Sequence, residues 1–358
     1  MAAPRATLEV DGREISFSNP DKVFFPALGL TKKDLIEYYA SVGAGALVGC
    51  RDRPSLMKRY PNGADGEHFF QKRVPSWKPE WLQTAHVAFP SGRTAEFVAP
   101  ADVAHIVWMV SLGCIDLNPW NVRRADVDHP DELRIDLDPT PGIPFSDVRD
   151  VAMIINDILT GHGLVGWPAT SGSRGMHIAV RIHPRWTFTD VRRAALAVGR
   201  ECERRTAVAT TAWWKEERVG VFIDYNMNAR DRTLASVYSP RPVPDARVAC
   251  PLRWDEVPDV EPADLTVLTV PGRYASIGDP GAAIDEHPGS LDELLELAER
   301  QEGEGATDAP WPPQFPKQPG EPPRVMPSRA RKEPKKPAGG RRNPGPSRRG
   351  GTRGRGSE

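Results

Sequence analysis

Two aspartates, Asp136 and Asp138, stand one residue apart in the run ELRIDLDPTPG. The apolar residues Ile135 and Leu137 alternate with them, which predicts a β-strand in which side chains two residues apart share a face. The two carboxylates would then face the same way and repel each other unless a cation lay between them. Carboxylate oxygens are the ligands that Mg²⁺ and Mn²⁺ prefer, so the pair indicates a divalent-metal site. The alternative is a strand edge that carries two solvated acids.

A third carboxylate, Asp224, ends a second predicted strand in the run VGVFIDYNMNAR, and the polar residues Asn228 and Arg230 follow it closely. If the two strands are neighbours in one sheet, the three carboxylates can hold two ions about 4 Å apart. Such ions activate an attacking 3′-hydroxyl and stabilise the departing pyrophosphate of an in-line displacement. An aspartate at a strand end carries no such meaning by itself.

A glycine-rich stretch, TSGSRGMHIAVRI, lies between these two strands. Backbone N–H groups exposed in a glycine-rich turn bind anions, and an arginine can grip phosphate oxygens through two parallel hydrogen bonds. The alternation of Met176, Ile178 and Val180 predicts a strand that leaves His177 on the open face of the sheet. A polar hairpin is the alternative. The candidate phosphate-binding side chains are those of Ser171, Ser173, Arg174 and His177.

The elements that must position these residues follow in the order strand, helix, strand, strand, helix, strand. That order is a split βαβ arrangement of the ferredoxin-like type. The two helices are predicted over FSDVRDVAMIINDILTGHG, with Ser146 as N-cap, and over FTDVRRAALAVGRECERR. We expect residues 126–300 to form this catalytic lobe. Residues 1–125, in which Thr31 is predicted to cap a helix, are expected to form an N-terminal lobe packed on its sheet.

The net charge of −1 conceals an uneven distribution of charged residues. Residues 317–358 hold 13 of the 47 Lys and Arg residues but three of the 48 Asp and Glu residues, which leaves 34 basic against 45 acidic residues elsewhere. A nucleic-acid site on the acidic remainder must therefore be a local basic patch. Because residues 301–358 are rich in Pro, Gly and Arg, they are predicted to be a disordered basic tail.

Cysteine usage and hydropathy argue against two classes of protein. The four cysteines lie far apart without CxxC or Cys/His spacing, which disfavours a structural zinc site and a disulfide framework. No apolar run reaches the roughly 18 residues that a membrane helix needs, and the first residues lack the apolar stretch of a signal peptide. We expect a cytoplasmic protein that is associated with the nucleoid when it is bound to DNA.

Five separated segments occur in an order that resembles the polymerase domain of bacterial ligase D, within the archaeo-eukaryotic primase superfamily. They are HFFQK, HPDELRIDLDP, SGSRGMH, DYNMNARDRT and YSPRPVPDARVACPLRWDEV, and the similarity spans about residues 17–256. The resemblance implies an α+β primase-polymerase fold, with an RRM-like catalytic sheet and an N-terminal lobe that binds DNA ends and template. It also implies a template-dependent nucleotidyltransferase that adds rNTP or dNTP to primer 3′ ends, in gap filling and in end-joining or excision repair.

Position by position, the resemblance assigns roles to residues of this chain. Asp136, Asp138 and Asp224 match the ligands of two Mn²⁺ or Mg²⁺ ions. Phe69 and Phe70 match aromatics that stack on the template, since any base offers a π-face to an aromatic ring. The nucleotide-binding segments contain Ser171, Ser173, Arg174, His177, Asn228 and Arg230. The DNA-binding lysines are Lys58 and the pair Lys22 and Lys32, which matches a pair that holds a 5′-phosphate across a gap. Without the resemblance, the phenylalanines are equally compatible with the core and the lysines with an ordinary surface.

The chain departs from the family pattern at Asn118 in LNPW, where ligase D polymerase domains commonly have the histidine of HPW. The contact of that histidine with the nucleotide is therefore open here, and LNPW is closer to free-standing actinobacterial relatives. The KxDG motif of a ligase is absent, so we expect a separate ATP-dependent DNA ligase and a Ku-type end-binding protein as partners on gapped or broken DNA with a 5′-phosphate. Two alternatives stay open: an RNA primase that needs no primer, and a catalytically silent DNA-end-binding module.

Overall fold

The computed structural model describes residues 4–89, 92–318 and 321–324. All of them belong to one unit, Met1–Arg324, whereas Val325–Glu358, with most of the predicted basic tail, lies outside the described residues. The strands are β1 (Arg5–Val10), β2 (Arg13–Ser18), β3 (Val23–Phe25), β4 (Leu30–Thr31), β5 (Ser55–Arg59), β6 (Phe69–Gln71), β7 (Thr84–Ala88), β8 (Thr94–Val98), β9 (Cys114–Pro119), β10 (Glu132–Pro139), β11 (Gly166–Thr170), β12 (Met176–Arg181), β13 (Ala209–Thr210) and β14 (Val221–Ile223). The helices are α1 (Lys32–Ser41), α2 (Gly43–Cys50), α3 (Val103–Ser111), α4 (Phe145–Gly161), α5 (Phe188–Arg205), α6 (Val270–Ile277) and α7 (Asp292–Gly303). Short 3₁₀ helices span Tyr225–Asn228, Pro262–Asp264 and Ile284–Glu286.

A five-stranded sheet in the order β11-β12-β10-β14-β13 carries the candidate site. Its first four strands are antiparallel to their neighbours, while β13 runs parallel to β14. This is the strand order of the ferredoxin-like split βαβ unit, so the predicted arrangement is confirmed. Ile135 and Leu137 of β10 are fully buried in a core shared with α4 and α5. The alternation of the strand therefore turns Asp136 and Asp138 to the opposite face.

The helices of this unit lie where their sequences predict them, with one correction at a cap. Helix α5 begins after Thr187, whose hydroxyl accepts the N–H of Asp190 while the Asp190 carboxylate accepts the N–H of Thr187. Helix α4 begins two residues earlier than a cap at Ser146 would allow, and its N-cap is Pro144. The prediction for Ser146 is wrong because Ser146 already lies inside the first turn of the helix, whose N-terminus has no side-chain cap. Thr31 caps α1 as predicted.

The N-terminal lobe is built around β5, which pairs with β6, β8 and β9 and packs with α1, α2 and α3. Its hydrophobic core also contains Tyr238, Val248 and Val270, which lie far along the chain. The hydroxyl of Tyr38 on α1 donates to the main-chain carbonyl of Tyr238 over 2.9 Å. The lobe that we predicted to end at residue 125 thus takes part of its core from the second half of the chain.

The residues after α7 continue to pack on the catalytic lobe. Trp311 is buried, and its main-chain N–H donates to the buried carboxylate of Glu321 over 2.8 Å. Arg192 of α5 donates to Asp308 over 2.8 Å. The packed part of the chain therefore extends to residue 324, whereas the predicted tail begins at residue 301. The reason is that Arg192 offers the segment a buried charged partner, which composition alone does not reveal.

The four cysteines, Cys50, Cys114, Cys202 and Cys250, are all buried and unpaired. Burial raises the pKa of Cys50 to about 12, so its thiol stays protonated and behaves as a small hydrophobic group. Among the described residues, no helix is both long enough and apolar enough to cross a bilayer.

Candidate active site

The three predicted carboxylates occupy adjacent positions on the open face of the catalytic sheet. Asp136 and Asp138 lie on β10, and Asp224 directly follows the neighbouring strand β14. The N–H of Asp224 donates to the carbonyl of Asp136 over 2.9 Å, so the two residues are neighbours across the sheet. On the other side, His177 of β12 is paired with Asp136, and its Nε2 lies 3.5 Å from Asp136 Oδ1. The strand order therefore assembles a polar cluster from three separate segments.

Burial and mutual repulsion alter the acidity of these carboxyl groups. Burial raises the pKa of Asp136 well above its usual value, and the charges of Asp138 and Asp224 raise it further. Burial also raises the pKa of Asp138. The pKa of Asp224 rises to about 6 through burial, although the N–H of Asn226, which donates to its Oδ1 over 2.9 Å, opposes the rise. A buried acidic cluster of this kind is stabilised by a divalent cation.

The donor set fits Mg²⁺ or Mn²⁺, because it consists of carboxylates and contains no thiolate. Within the described residues, no Lys or Arg forms an ion pair with Asp136, Asp138 or Asp224, so their charge is available to another cation. In the same part of the chain, no three His, Cys, Asp or Glu side chains already stand within metal-binding distance of a common point. Binding of an ion would therefore require the carboxylates to move closer together, and the positive charge of the ion would offset their mutual repulsion.

Four arginines that no sequence pattern singled out lie around the acidic cluster. Burial and, to a smaller extent, the positive charges of Arg241 and Arg134 together lower the pKa of His177 to about 3, so the imidazole is neutral at pH 7. Arg134 precedes Asp136 by two residues on β10, and strand alternation could have identified it. Arg241 lies in a loop far along the chain, where no local pattern places it. Besides the predicted Arg174, the arginines whose charges act on the carboxylates are Arg134, Arg218, Arg232 and Arg241.

The glycine-rich loop between β11 and β12 fits closely against these groups. The buried hydroxyl of Ser171 accepts two N–H groups of the loop itself, at 3.2 and 3.1 Å. Gly172 has a φ of +66°, and a Cβ there would lie 2.6 Å from the Cγ of Arg241. A Cβ on Gly175 would lie 1.9 Å from the carbonyl oxygen of Leu137. Both glycines are therefore required for the loop to lie beside β10 and Arg241.

The predicted phosphate contacts in this loop differ in how free their side chains are. Arg174 is exposed, and its positive charge opposes the rise in the pKa of Asp138, so it lies within electrostatic reach of the carboxylates. Ser173 is partly exposed, and its carbonyl accepts a hydrogen bond from Arg247 at 2.9 Å. The hydroxyl of Ser171 is occupied inside the loop. The Arg174 side chain therefore forms no hydrogen bond or ion pair within the described residues, whereas the Ser171 hydroxyl supports the loop itself.

Two predicted nucleotide contacts have their polar groups occupied elsewhere. The side chain of Asn228 is fully buried, and its amide accepts the N–H of Arg134 and donates to the carbonyl of the same residue. These bonds tie the 3₁₀ helix after β14 to β10. Arg230 donates to the carboxylate of Asp128 over 2.6 Å. Both side chains therefore use polar groups within the protein in this structure, and their contact with a nucleotide stays a prediction.

The aromatic pair on the N-terminal lobe is on its surface. Phe69 and Phe70 on β6 are 45% and 60% exposed, and the guanidinium of Arg59 lies 5.3 Å from the centre of the Phe69 ring. Exposed rings beside a cation suit stacking with the bases of a nucleic acid. Lys58 on the neighbouring strand differs, since its Nζ lies 3.8 Å from the buried carboxylate of Asp116. Its charge is therefore partly neutralised within the protein.

Lys22 and Lys32 are close enough for their charges to interact. Lys32 is buried, and its Nζ donates to the carbonyl of Ser18 over 3.0 Å. Burial, with the nearby charges of Arg59 and Lys22, lowers the pKa of Lys32 to about 8. The Nζ of Lys22 donates to Asn62 over 3.1 Å. Cations held together in this way favour binding of an anion, which would offset their repulsion.

Asn118, the departure from the family pattern, is buried on β9, and its Nδ2 donates to the carbonyl of Asp116 over 3.2 Å. Asp116 is also buried, and its Oδ1 has no hydrogen-bond partner among the described residues. An amide does not titrate near neutral pH, so Asn118 cannot supply the charge or the proton transfer of a histidine at this position.

Comparisons with known proteins agree with this geometry. Residues 31–281 match the family described as LigD, primase-polymerase domain. The chain is 31% identical over 277 residues to the multifunctional non-homologous end joining DNA repair protein LigD of Mycobacterium tuberculosis, which covers 75% of this chain and 36% of that protein. It is 30% identical over 307 residues to the multifunctional non-homologous end joining protein LigD of Mycolicibacterium smegmatis, and this match covers 85% of this chain and 40% of that protein. The chain thus spans about two fifths or less of the length of these relatives.

A solved structure has the same fold. The polymerase domain from Mycobacterium tuberculosis ligase D in complex with DNA superposes with a TM-score of 0.70 and 30% sequence identity, and the match covers 77% of this chain and 99% of that chain. The similarity confirms the predicted α+β primase-polymerase fold. The matched family range contains both carboxylate-bearing segments, the glycine-rich loop and Arg241. On the strength of these matches and of the carboxylate cluster, the chain belongs to the LigD primase-polymerase domain family.

Proposed function

We propose that this protein is a template-dependent polymerase that adds nucleotides to the 3′ end of a primer at gaps and ends in DNA. The observation that carries the proposal is the adjacency of Asp136, Asp138 and Asp224 on the open face of an antiparallel sheet. Membership in a family of polymerase domains from end-joining proteins supports the same reaction class. The reaction joins the primer 3′-oxygen to the α-phosphorus of the nucleotide and breaks the bond to pyrophosphate.

The three carboxylates would hold two Mn²⁺ or Mg²⁺ ions. When bound, such ions favour the ionised 3′-hydroxyl and neutralise charge that develops on the phosphates. Asp136 and Asp224, whose pKa values are raised, would release protons as the site is loaded. The neutral imidazole of His177 has one ring nitrogen that donates and one that accepts, and it can orient Asp136 without adding positive charge.

The triphosphate of an incoming rNTP or dNTP would lie against the glycine-rich loop. Arg174 of this loop is exposed, and the Cγ of Arg241 lies 2.6 Å from the position that a Cβ on Gly172 would occupy. Both positive charges act on the pKa of Asp138, so an anion bound between them would lie beside the carboxylates. This position would bring the α-phosphate to the acidic cluster that is proposed to hold the metal ions.

The N-terminal lobe would hold the DNA. Phe69 and Phe70 offer exposed rings on which template bases can stack, and Lys22 and Lys32 offer paired cations for a 5′-phosphate. These two contacts together would favour a short gap whose downstream strand is phosphorylated. Filling such a gap leaves a nick, so we propose a separate ATP-dependent DNA ligase and a Ku-type end-binding protein as partners. The protein would act in the cytoplasm, on the nucleoid.

Primer extension on gapped DNA tests the proposal. The full chain is assayed with rNTP or dNTP and with Mn²⁺ or Mg²⁺, on gaps that end in a 5′-phosphate or a 5′-hydroxyl. We expect addition of the nucleotide that is complementary to the template base, and its loss in Asp136→Ala. Asp157→Ala, which removes an exposed carboxylate of α4, serves as the matched control. DNA binding without addition on any substrate would identify a silent end-binding module, and synthesis on unprimed template would identify a primase.

A further inference from the structure

The segment after α7 packs beside the 3₁₀ helix Tyr225–Asn228, which directly follows Asp224. We call this segment, residues 306–318 and 321–324, the C-terminal strap. The strap lies beyond residue 281, where the match to the family ends. Its contacts therefore lie outside the residues that the family model matches.

Arg192 of α5 joins the strap to the 3₁₀ helix. Its guanidinium is buried, and Nη1 donates to Asp308 Oδ1 over 2.8 Å while Nη2 donates to the carbonyl of Ala309 over 2.7 Å. The Nε of the same group donates to Asn226 Oδ1 over 2.7 Å. One rigid, planar cation thus holds two segments that are far apart in the sequence.

Trp311 fixes the strap side of this junction. Its ring centre lies 4.1 Å from the Cζ of Arg192, and its Nε1 donates to the second carboxylate oxygen of Asp308 over 2.8 Å. The carbonyl of Pro310 accepts a hydrogen bond from the Nδ2 of Asn226 at 3.1 Å. Every polar group of the Asn226 side chain is therefore used by Arg192 or by the strap.

Asn226 in turn holds the third carboxylate of the candidate active site. The main-chain N–H of Asn226 donates to Asp224 Oδ1 over 2.9 Å. A second connection runs through Trp213, whose Nε1 donates to the carbonyl of Arg324 and whose own carbonyl accepts Nη2 of Arg218. The charge of Arg218 opposes the rise in the pKa of Asp224. The strap thus reaches Asp224 by two routes, one through its hydrogen-bond donor and one through a neighbouring cation.

We propose that the C-terminal strap is a positioning element for the metal site: through Arg192 and Asn226 it fixes the orientation of Asp224. The inference rests on the proposed function, since it assigns the strap a purpose in binding the divalent ion. Without Asp308, Arg192 would be a buried cation that lacks its carboxylate partner, and it would rearrange to find another. That rearrangement would release Asn226, and with it the carboxylate of Asp224.

Binding of Mn²⁺ alone to the full chain, without nucleotide or DNA, tests the strap. Free Mn²⁺ is followed by electron paramagnetic resonance, and the thermal midpoint in EDTA is measured in parallel. Asp308→Ala and Trp311→Ala should weaken Mn²⁺ binding about ten-fold, a difference of about 1.4 kcal/mol. Trp311→Phe, which keeps a ring over Arg192, should restore most of the affinity. Glu302→Gln on α7, which breaks an exposed ion pair with Arg193 of α5, is the matched control.

Extension assays supply a second readout. The strap variants should need more Mn²⁺ for half-maximal rate and should recover most of the wild-type rate when Mn²⁺ saturates. Asp308→Asn, which keeps the shape of the side chain but removes its charge, provides the comparison if Asp308→Ala does not fold. Wild-type affinity for Mn²⁺ in the strap variants, with or without a lower thermal midpoint, would overturn the strap proposal alone. Absence of Mn²⁺ binding in the wild-type protein, or unchanged binding in Asp136→Ala, would overturn the metal site and the strap proposal with it.

Discussion

The main-chain N–H of Asp224 donates to the main-chain carbonyl of Asp136 over 2.9 Å, which makes two carboxylates from distant segments neighbours in one sheet. Asp138 projects from the same face of β10, two residues further along. The spacing of the cluster is therefore set by backbone hydrogen bonds and not by the side chains. A substitution of one carboxylate should leave the sheet intact and change its chemistry.

Each of Asp136→Ala, Asp138→Ala and Asp224→Ala should abolish nucleotide addition while binding of DNA stays largely unchanged, because the acids are proposed to hold the catalytic ion and not the duplex. Asp136→Asn should fail nearly as completely, since a neutral amide lacks the charge that holds the ion. Gel-shift and extension assays on the same gapped substrate separate the two properties. Substantial residual extension in any variant would remove that residue from the metal site.

Removal of Asp224 should stabilise the protein when no metal is present. The pKa of the Asp224 carboxyl is about 6 in the folded state, against about 4 in the unfolded chain. Below about pH 4 the carboxyl is protonated in both states and does not lower the free energy of unfolding. As the pH rises through about 6 the buried carboxyl becomes charged, and the free energy of unfolding falls. At pH 7.5 in EDTA, Asp224→Asn should therefore unfold with a free energy roughly 2 kcal/mol higher than the wild type. Added Mn²⁺ should stabilise the wild type more than the variant. Equal denaturation midpoints in EDTA at pH 7.5 would contradict the raised pKa.

Lys22 and Lys32 should give the protein a preference for gaps with a phosphorylated downstream strand. Each ammonium group on one phosphate contributes roughly 1.5 to 3 kcal/mol, enough for at least a ten-fold gain in affinity. The double variant Lys22→Ala, Lys32→Ala should lose affinity for the 5′-phosphate form and hardly change on the 5′-hydroxyl form. Lys33→Ala is the control, because Lys33 is exposed and lies 3.6 Å from Glu37. Equal losses of affinity on both substrates would indicate that the two lysines contact the phosphate backbone of the DNA generally and not its 5′-phosphate.

The same preference should depend on pH. Because the pKa of Lys32 is lowered to about 8, its amine is charged below that value and increasingly neutral above it. Affinity for the 5′-phosphate, measured relative to the 5′-hydroxyl form, should therefore fall as the pH rises from 7 to 9. In Lys32→Ala the ratio should be lower at pH 7 and nearly constant across this range.

Gly175→Ala should damage both the fold and the reaction. The added Cβ would lie 1.9 Å from the carbonyl oxygen of Leu137, so the start of β12 must move away from β10 beside the carboxylates. Overpacking of this kind typically costs about 1 to 3 kcal/mol of stability. Gly161→Ala, at the end of α4, meets nothing within 4 Å and should be neutral or slightly stabilising. Denaturation curves and extension rates of the two variants would decide, and a fully active Gly175→Ala would count against the close fit of the loop.

The predicted basic tail, residues 301–358, should contribute affinity for DNA that depends on salt concentration and does not depend on the DNA sequence. It lies mostly outside the described residues, and its cations would release condensed counterions from the phosphate backbone. Because residues up to 324 pack on the catalytic lobe, the informative deletion is 325–358. Affinity at low salt and the slope of log K against log salt should both decrease, while extension continues. An unchanged slope would favour a role in solubility or partner docking.

The parts of the structure that could be predicted from sequence are those with a local period. The alternation in ELRIDLD predicted the strand and the shared face of Asp136 and Asp138, and the run FTDVRRAALAVGRECERR predicted α5. The carboxylate cluster could be anticipated because strand order is limited to a few arrangements once the elements are known. Predicting that Asp224 joins the other two carboxylates required only that β14 lie beside β10 in the sheet.

The rest depends on contacts between distant segments. Asn228 and Arg230 follow a candidate ligand in sequence, but a polar side chain there can bind a nucleotide or a backbone carbonyl, and the sequence does not distinguish the two. Arg241 reaches the cluster from a loop whose path is set by packing. The strap could not be foreseen either, because Arg192 sits on a helix where a charged residue usually faces solvent.

The N-terminal lobe completes its core with Tyr238, Val248 and Val270, which has a consequence for how the chain folds during synthesis. When the first 125 residues have left the ribosome, the lobe has its helices and strands but lacks a part of its apolar interior. Closing that interior requires a contact across roughly 200 residues, such as the bond from the Tyr38 hydroxyl to the Tyr238 carbonyl. The lobe that is made first is therefore finished late, and until then its apolar surface must be kept from other nascent chains.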